Sequence, residues 1–246
     1  MEKIILLNGR NKRTIAQYRP TSLSNIESSA ASPFWLDLLS PSERLLKRTG
    51  VGLTLNPGAL RACFSLHSST GCEDFGDYLF VKAPFLEPSK RSLFMQRDLK
   101  VFLSSEYLIT IHKRRDSLLR LLPSVEECGF ERTGTLLLVI FEQSICRLIR
   151  SVYFEESRGN LPAIEKDRMN RNPSWWRLKN LRAALNHDLS LVHELAFVGS
   201  RFFCPEDRDT FGSLKANMRF LRDMVDALLS QNSTSTNAVR STKTFS

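Results

Sequence analysis

The sequence predicts an α/β protein, in which a mixed β-sheet flanked by helices is followed by a layer of helices that forms a stalk. Short apolar segments bounded by turn residues fill the first half of the chain. After about residue 135 the apolar residues recur every three or four positions, as they do in amphipathic helices. Ser, Thr and Asn dominate after Ser230. We therefore predict an α/β sheet domain at 1–122, a helical stalk region at 123–230 and a disordered polar tail at 231–246.

The predicted strands are apolar or alternating segments that end at Gly, Pro, Asn or Ser. They are Ile4–Leu7 with a partner at Thr14–Tyr18, Pro33–Leu39, Tyr78–Val81, Leu99–Leu103 and Tyr107–Ile111. Only Ser104-Ser105-Glu106 separates the last two strands, which predicts a tight hairpin.

Helix starts are predicted from capping residues. In Ser40-Pro41-Ser42-Glu43 we expect Ser40 to be the N-cap, with proline in the first turn and glutamate three residues after the cap. Gly50 and Gly52 should end this helix, and Asn56-Pro57 should begin a second short one. The predicted stalk helices are Leu136–Tyr153, Trp175–Ala196 and Pro205–Leu229, the last of them the longest and preceded by Cys204. Glu206 and Asp207 suit the positive end of its dipole.

The composition is that of a globular protein, with 42% hydrophobic and 25% charged residues among 246. The net charge of +9 would suit a nucleic acid or an anionic membrane surface if the basic residues shared one face. The densest basic clusters, Arg10–Arg13 and His112–Arg115, are short and lie beside predicted turns. We therefore predict solvated loops and no nucleic-acid partner.

Five cysteines form no C-x-x-C pair, which argues against a zinc ribbon or a disulfide scaffold and favours a reducing, cytoplasmic setting. The longest apolar run, Leu136–Phe141, is far shorter than the roughly 20 residues that a membrane-spanning helix requires. We expect the chain as given to contain no membrane pore.

Four stretches carry a resemblance to a known family. They are Trp35-Leu36-Asp37-Leu38 with Ser40-Pro41-Ser42-Glu43, Asn56-Pro57-Gly58-Ala59-Leu60, the run Phe75–Val81, and Leu99–Leu103 with Tyr107–Lys113. Their order and spacing resemble the cytoplasmic domain of the CorA family of magnesium, cobalt and zinc transporters. The likeness extends over roughly residues 33–229. The family's first transmembrane helix and its Gly-Met-Asn pore signature have no counterpart in these 246 residues.

This resemblance implies the cytoplasmic domain, or a pore-less relative, of a divalent metal ion (Mg²⁺) transporter at the cytoplasmic side of the cell membrane. It also implies a homo-oligomer, a pentamer in the family, formed through the stalk helices when a pore is attached. The isolated chain should be soluble and weakly oligomeric or monomeric. The alternative is a stand-alone regulatory or adaptor protein that uses the same fold to bind an acidic partner.

The resemblance also implies positions for regulatory metal ligands, where the family has an acidic residue on the second short helix and another on the stalk helix. Our alignment places Arg61 and Ala62 at the first position, and Lys215 and Ala216 at the second. Because hard cations require oxygen ligands, we predict no metal ligand and no cofactor. Mg²⁺ could bind only at a site that differs from the family pattern. The carboxylates Asp223 and Asp226 remain nearby, and we interpret them as a solvated face.

Other candidate residues favour ordinary structural roles. The sequence contains no phosphate loop, nucleophile elbow or H-E-x-x-H motif, so we predict no catalytic residues and no enzyme. His187 and His193 are six residues apart and do not share a helix face. Asp37 and His112 lie at strand ends, where loop polarity is favoured over a metal role. Trp175 and Trp176 could stack on bases or a partner, but burial of one indole against the sheet domain is favoured.

Overall fold

The computed structural model describes residues 3–8, 33–65, 70–89, 93–113, 118, 130–157 and 173–242. In the first half its elements are β1 (Lys3–Asn8), β2 (Phe34–Leu39), α1 (Glu43–Gly52), α2 (Pro57–Ala62), β3 (Gly71–Asp74), β4 (Leu79–Ser89), β5 (Leu93–Leu103) and β6 (Tyr107–His112). In the second half they are α3 (Thr133–Ser157), α4 (Pro173–Val198), a 3₁₀ turn (Ser200–Phe202) and α5 (Asp207–Thr242). The predicted fold class, an α/β protein with a mixed sheet, is confirmed. The predicted strand Thr14–Tyr18 and the domain boundary at residue 122 lie outside the described residues.

The described strands form one six-stranded sheet in the order β1-β2-β6-β5-β4-β3. Strands β2 and β6 are parallel, with Asp37 opposite Thr110 and Leu39 opposite His112. The other neighbouring strands are antiparallel, including the predicted hairpin of β5 and β6. Because β2 and β6 run in the same direction, their carboxyl ends meet at one edge of the sheet.

The helix that follows β2 begins two residues later than predicted. Ser40 has a φ of 48°, in the left-handed region, and the chain turns there before the helix. Ser42 has the extended backbone of an N-cap, and its Oγ accepts a hydrogen bond from the amide of Leu45 at 3.2 Å. The prediction that Ser40 caps α1 was therefore wrong.

The helix α1 includes Gly50 and ends at Gly52, one of the two glycines that were predicted to end it. A Cβ atom at Gly50 would lie 2.3 Å from Cδ1 of Leu60 on α2. This glycine therefore permits the close packing of the two short helices. The start of α2 is as predicted, with Asn56 as N-cap and Pro57 at its first position.

Strands β4 and β5 are longer than predicted, with eleven residues each. The predicted strand Tyr78–Val81 does not include Pro84 and Pro88, which belong to β4 in the structure. Both prolines lie beyond Lys82, the last residue of β4 in the register with β3. Among the described strands only β5 pairs with that part of β4, and such an edge tolerates proline.

Helices cover both faces of the sheet. On one face α1 and α2 pack over a cluster that includes Leu36, Leu46, Phe80 and Phe102. On the other face the three long helices pack over a larger cluster, which includes Trp35 and Val101 from the sheet. Successive residues in a strand point to opposite faces of the sheet, so each inner strand contributes to both clusters.

The long helices form a layer in which α3 and α5 run in the same direction. Thr135 Oγ1 donates to Asp207 Oδ1 at 2.8 Å, and Ser213 Oγ donates to Glu142 Oε1 at 2.7 Å. Helix α4 runs in the opposite direction. The predicted inward stripe of α5 is buried, and its members are Phe211, Leu214, Met218, Leu221, Val225 and Leu228. This stripe packs against α3 and α4.

The predicted disordered tail at 231–246 stays a prediction, and the helix α5 does not end at Leu229 but continues through residues 230–242. These residues have modest helix propensity. Extending an existing helix nevertheless fixes one residue for each new hydrogen bond and avoids the cost of nucleation. Among the described residues, no helix has the length and apolarity that crossing a membrane demands.

Candidate functional site

The most enclosed polar group of the sheet lies where β2 and β6 end together. Asp37 Oδ1 is 2.8 Å from Nε2 of His112 and accepts a 2.7 Å hydrogen bond from Thr110 Oγ1. Its Oδ2 accepts from the amide of Leu118 at 3.1 Å. The indole Nε1 of Trp35 donates to Thr110 Oγ1 at 2.9 Å, which extends the network to a fourth side chain.

Because Asp37 and His112 are each at most 2% exposed, the loop polarity that we predicted for this pair was wrong. Of the predicted basic cluster His112–Arg115, His112 belongs to a buried hydrogen-bond network and Lys113 is exposed. Arg114 and Arg115, like the cluster Arg10–Arg13, lie outside the described residues. The Thr110 hydroxyl, the His112 ring nitrogen and the Leu118 amide already lie within hydrogen-bond distance of the Asp37 carboxylate. Its chemistry is therefore that of a satisfied buried polar group that connects two strands and the segment at Leu118.

The positions that the resemblance assigns to regulatory metal ligands hold no carboxylate. On α2, Arg61 is exposed and lines a cavity of about 150 Å³ between α1 and α2, together with Glu43 and Phe64. On α5, the ammonium group of Lys215 lies 6.0 Å from the ring centre of Phe211, and Ala216 is exposed. Within the described ranges, no three His, Cys, Asp or Glu side chains are grouped so that they could hold a metal ion.

The two remaining stalk carboxylates each bind an arginine. Asp223 Oδ1 lies 3.3 Å from Nη2 of its neighbour Arg222. Asp226 Oδ1 lies 2.7 Å from Nε of Arg182, which belongs to α4. Asp223 is largely exposed, as predicted, whereas Asp226 forms an ion pair between α4 and α5.

A third acidic group lies where α3 and α5 begin, beside a cavity of about 550 Å³ lined in part by Glu131, Glu206 and Asp207. Asp207 is buried, and it accepts from the Cys204 amide at 2.8 Å and from Thr135. Arg132 Nη1 lies 3.5 Å from Glu206 Oε2. These contacts cap the start of α5 and connect it to α3, which gives the group a structural role.

The histidines and tryptophans that the sequence singled out lie on α4. His187 and His193 are exposed, and His187 lines a cavity of about 520 Å³ with Arg177 and Phe94 among others. Trp176 is 51% exposed, so it is not the buried indole. The side chain of Trp175 lies outside the described residues, and the predicted burial of one indole therefore stays a prediction.

One unusual residue was missed by the sequence reasoning. Asp188 lies on the inward face of α4 and is only 6% exposed. Burial raises the pKa of its carboxyl well above the ordinary value for aspartate. The signal was present in the sequence, because Leu181, Leu185, Val192 and Leu195 have helical spacing and place Asp188 on the same stripe.

Comparison with known proteins gives fold relationships at low sequence identity. No protein-family model matches the sequence, and a search of curated proteins found no match. The soluble domain of CorA from Methanocaldococcus jannaschii has 15% identity and a TM-score of 0.68, over 94% of both chains. Full-length CmaX has 15% identity and a TM-score of 0.72, over 98% of this chain and 79% of its own. The ZntB cytoplasmic domain from Vibrio parahaemolyticus has 10% identity and a TM-score of 0.67, over 87% of this chain and 89% of its own. This chain therefore has the fold of these cytoplasmic domains.

Proposed function

We propose that this chain is the cytoplasmic domain of a CorA-type divalent metal ion (Mg²⁺) transporter, or a relative of such a domain without a pore of its own. The observation that carries the proposal is the match to the soluble domain of CorA over 94% of both chains. A match of that extent includes the sheet, the helices on both of its faces and the long last helix. The order and spacing of the four sequence stretches support the same family independently.

The chemistry of the described residues supports a structural domain over an enzyme. Burial raises the pKa of the Cys63 and Cys72 thiols to about 12, so both are protonated and weakly nucleophilic at neutral pH. The network at Asp37 and His112 is buried and filled. In such an arrangement the ion pathway and its selectivity belong to a pore that the domain serves from the cytoplasmic side of the membrane.

The outward face of α5 is the surface through which copies of the chain would associate when a pore holds them together. It carries the exposed residues Ala216, Phe220 and Ala227, and Phe220 is 56% exposed. The inward face of the same helix is already used by the fold. A single helix face offers little area for association, which supports weak self-association of the isolated chain.

A second function is favoured by the net charge of +9, which would attract an acidic partner to a stand-alone regulatory or adaptor protein. The first test is what the gene encodes after the codon for Ser246. An apolar helix that ends in Gly-Met-Asn supports the transporter. A stop codon at that point supports the pore-less relative or the adaptor, which a binding assay with acidic protein partners then separates.

A further inference from the structure

Asp188 occupies a position in α4 where the neighbouring side chains are apolar. One helical turn before it lie Ala184 and Leu185, and one turn after it lie Leu191 and Val192, and all four are at most 3% exposed. All four belong to the large apolar cluster between the sheet and the long helices. Asp188 thus places an ionisable group inside that layer.

One oxygen of the Asp188 carboxyl lacks a hydrogen-bond partner within the described part of the chain. Its Oδ1 atom is buried and accepts no hydrogen bond there. This differs from the other buried carboxylates, because Asp37 binds Thr110 and the Leu118 amide, and Asp207 binds Thr135 and the Cys204 amide.

Charged groups on the elements around α4 interact elsewhere. On α5, Asp226 pairs with Arg182 of α4, Asp223 pairs with Arg222, and Lys215 lies over the ring of Phe211.

On β3, Glu73 pairs with Lys82 of β4, and Asp74 pairs with Arg201 of the 3₁₀ turn. On β5, Lys100 Nζ lies 3.8 Å from Asp98 Oδ2, and Arg97 Nε lies 3.8 Å from Glu87 Oε2 of β4 but makes no hydrogen bond within the described residues. Other charged or titratable groups on these elements are Cys72 on β3, Asp207, Arg208, Asp209 and Arg219 on α5, and Arg177, Lys179, His187, His193 and Glu194 on α4 itself. Burial raises the pKa of Asp188.

We propose that Asp188 is a proton-binding site that controls how tightly α4 holds α5 against the sheet. Helix α4 contacts β3, β4 and β5 on one side and α5 on the other. A protonated carboxyl can remain among apolar side chains at modest cost, whereas an isolated carboxylate there requires water or a counter-charge. Loss of the proton therefore favours a state in which α4 moves away from its neighbours. This inference does not depend on the proposed transport function.

The sign of the effect follows from linkage. The folded chain holds the Asp188 proton to a higher pH than the unfolded chain does. Between the unfolded and the folded pKa, the unfolded state releases a proton that the folded state retains, so rising pH favours unfolding or local opening. One such proton changes the equilibrium constant by about tenfold for each pH unit in that window. Above the folded pKa the effect is constant.

The test compares the wild-type chain with Asp188→Asn, which imitates the protonated carboxyl in shape and cannot ionise. Urea unfolding between pH 5 and pH 8 measures the folding equilibrium of both chains. We expect the variant to gain stability relative to wild type as the pH rises, by up to about tenfold in the equilibrium constant per pH unit. Asp223→Asn, on the exposed face of α5, is the matched control and should leave the pH dependence of the folding equilibrium as it is in wild type. Equal slopes for wild type and Asp188→Asn would overturn the proposal.

Hydrogen exchange locates the opening. After correction for the intrinsic dependence of exchange on pH, amides of α4 should exchange faster at pH 8 than at pH 6 in wild type, and this difference should be absent in Asp188→Asn. If Asp188→Asn fails to fold, Asp188→Leu serves for both measurements because it fills the same position with an apolar group. Equal acceleration in the sheet and in all three long helices would contradict a local role for α4.

Discussion

Oδ1 of Asp37 and Nε2 of His112 lie 2.8 Å apart, and both side chains are 1% exposed. The two residues are 75 positions apart in the sequence, and the parallel pairing of β2 and β6 brings them together. Removing the carboxylate would leave the Thr110 hydroxyl, the His112 ring and the Leu118 amide without their acceptor. We expect Asp37→Ala to destabilise the fold by about 3 kcal/mol, since each buried polar group left unsatisfied costs about 1–3 kcal/mol.

Urea unfolding at pH 7 checks this value. Asp77→Ala is the control because Asp77 is an exposed aspartate in the turn between β3 and β4, and its effect should stay within about 0.5 kcal/mol. An Asp37→Ala variant as stable as the control would show that the network contributes nothing to stability.

Two helical glycines should respond in opposite directions to replacement by alanine. A Cβ atom at Gly134, in the first turn of α3, would lie 2.2 Å from the backbone oxygen of Phe202. Because backbone cannot move aside easily, Gly134→Ala should cost about 1–3 kcal/mol. A Cβ atom at Gly212 of α5 would meet nothing within 4 Å, so Gly212→Ala should stabilise the chain by about 0.5–1 kcal/mol. Thermal melting of both variants measures the two shifts, and a stabilising Gly134→Ala would contradict the packing of α3 on the turn at Phe202.

Mg²⁺ should neither stabilise the domain nor change its assembly. The positions that the family resemblance assigns to ligands hold Arg61, Ala62, Lys215 and Ala216, and Asp226 is paired with Arg182. A site with a Kd of about 1 mM would add about 1.4 kcal/mol at about 10 mM Mg²⁺, which melting curves resolve. The control is NaCl at matched ionic strength. A Mg²⁺-specific rise in Tm of several degrees would mean that carboxylates outside the family pattern form a site.

The isolated chain should be monomeric or weakly associated. Its net charge of +9 opposes self-association, and the outward face of α5 provides limited apolar area. Sedimentation velocity at micromolar concentration and physiological salt measures the state. A tight pentamer under these conditions would require an interface that the described surface of α5 does not suggest.

Much of the fold could be predicted from the sequence because local signals were strong. The apolar run before Ser40 marks β2, Asn56-Pro57 marks the start of α2, and the stripe from Phe211 to Leu228 marks α5. Strand β3 was missed because Gly71-Cys72-Glu73-Asp74 has no apolar alternation, and it forms an edge strand through backbone pairing with β4. The extension of α5 beyond Leu229 was not predicted, because the modest helix propensity of those residues does not include the stabilising effect of the helix that precedes them.

The polar sites were harder to predict because they depend on tertiary contacts. Loop polarity was preferred for Asp37 and His112 because the parallel alignment of β2 and β6 could not be read from either segment alone. The ion pair of Asp226 with Arg182 likewise depends on the antiparallel arrangement of α4 and α5. The burial of Asp188 follows from helical spacing on α4, but the missing hydrogen-bond partner of its Oδ1 atom becomes visible only when the neighbouring elements are in place.

The most direct measurement of the central proposal is transport by a chimaera. Residues 1–230 of this chain would replace the cytoplasmic domain of full-length CorA from Methanocaldococcus jannaschii, with the pore of that protein retained, and Mg²⁺ uptake would be measured in proteoliposomes. We expect uptake above that of the pore without any cytoplasmic domain, and loss of this gain in the same chimaera carrying Asp37→Ala. A chimaera that folds and assembles, as judged by circular dichroism and sedimentation, but that transports no better than the isolated pore would contradict a transporter-domain function for this chain.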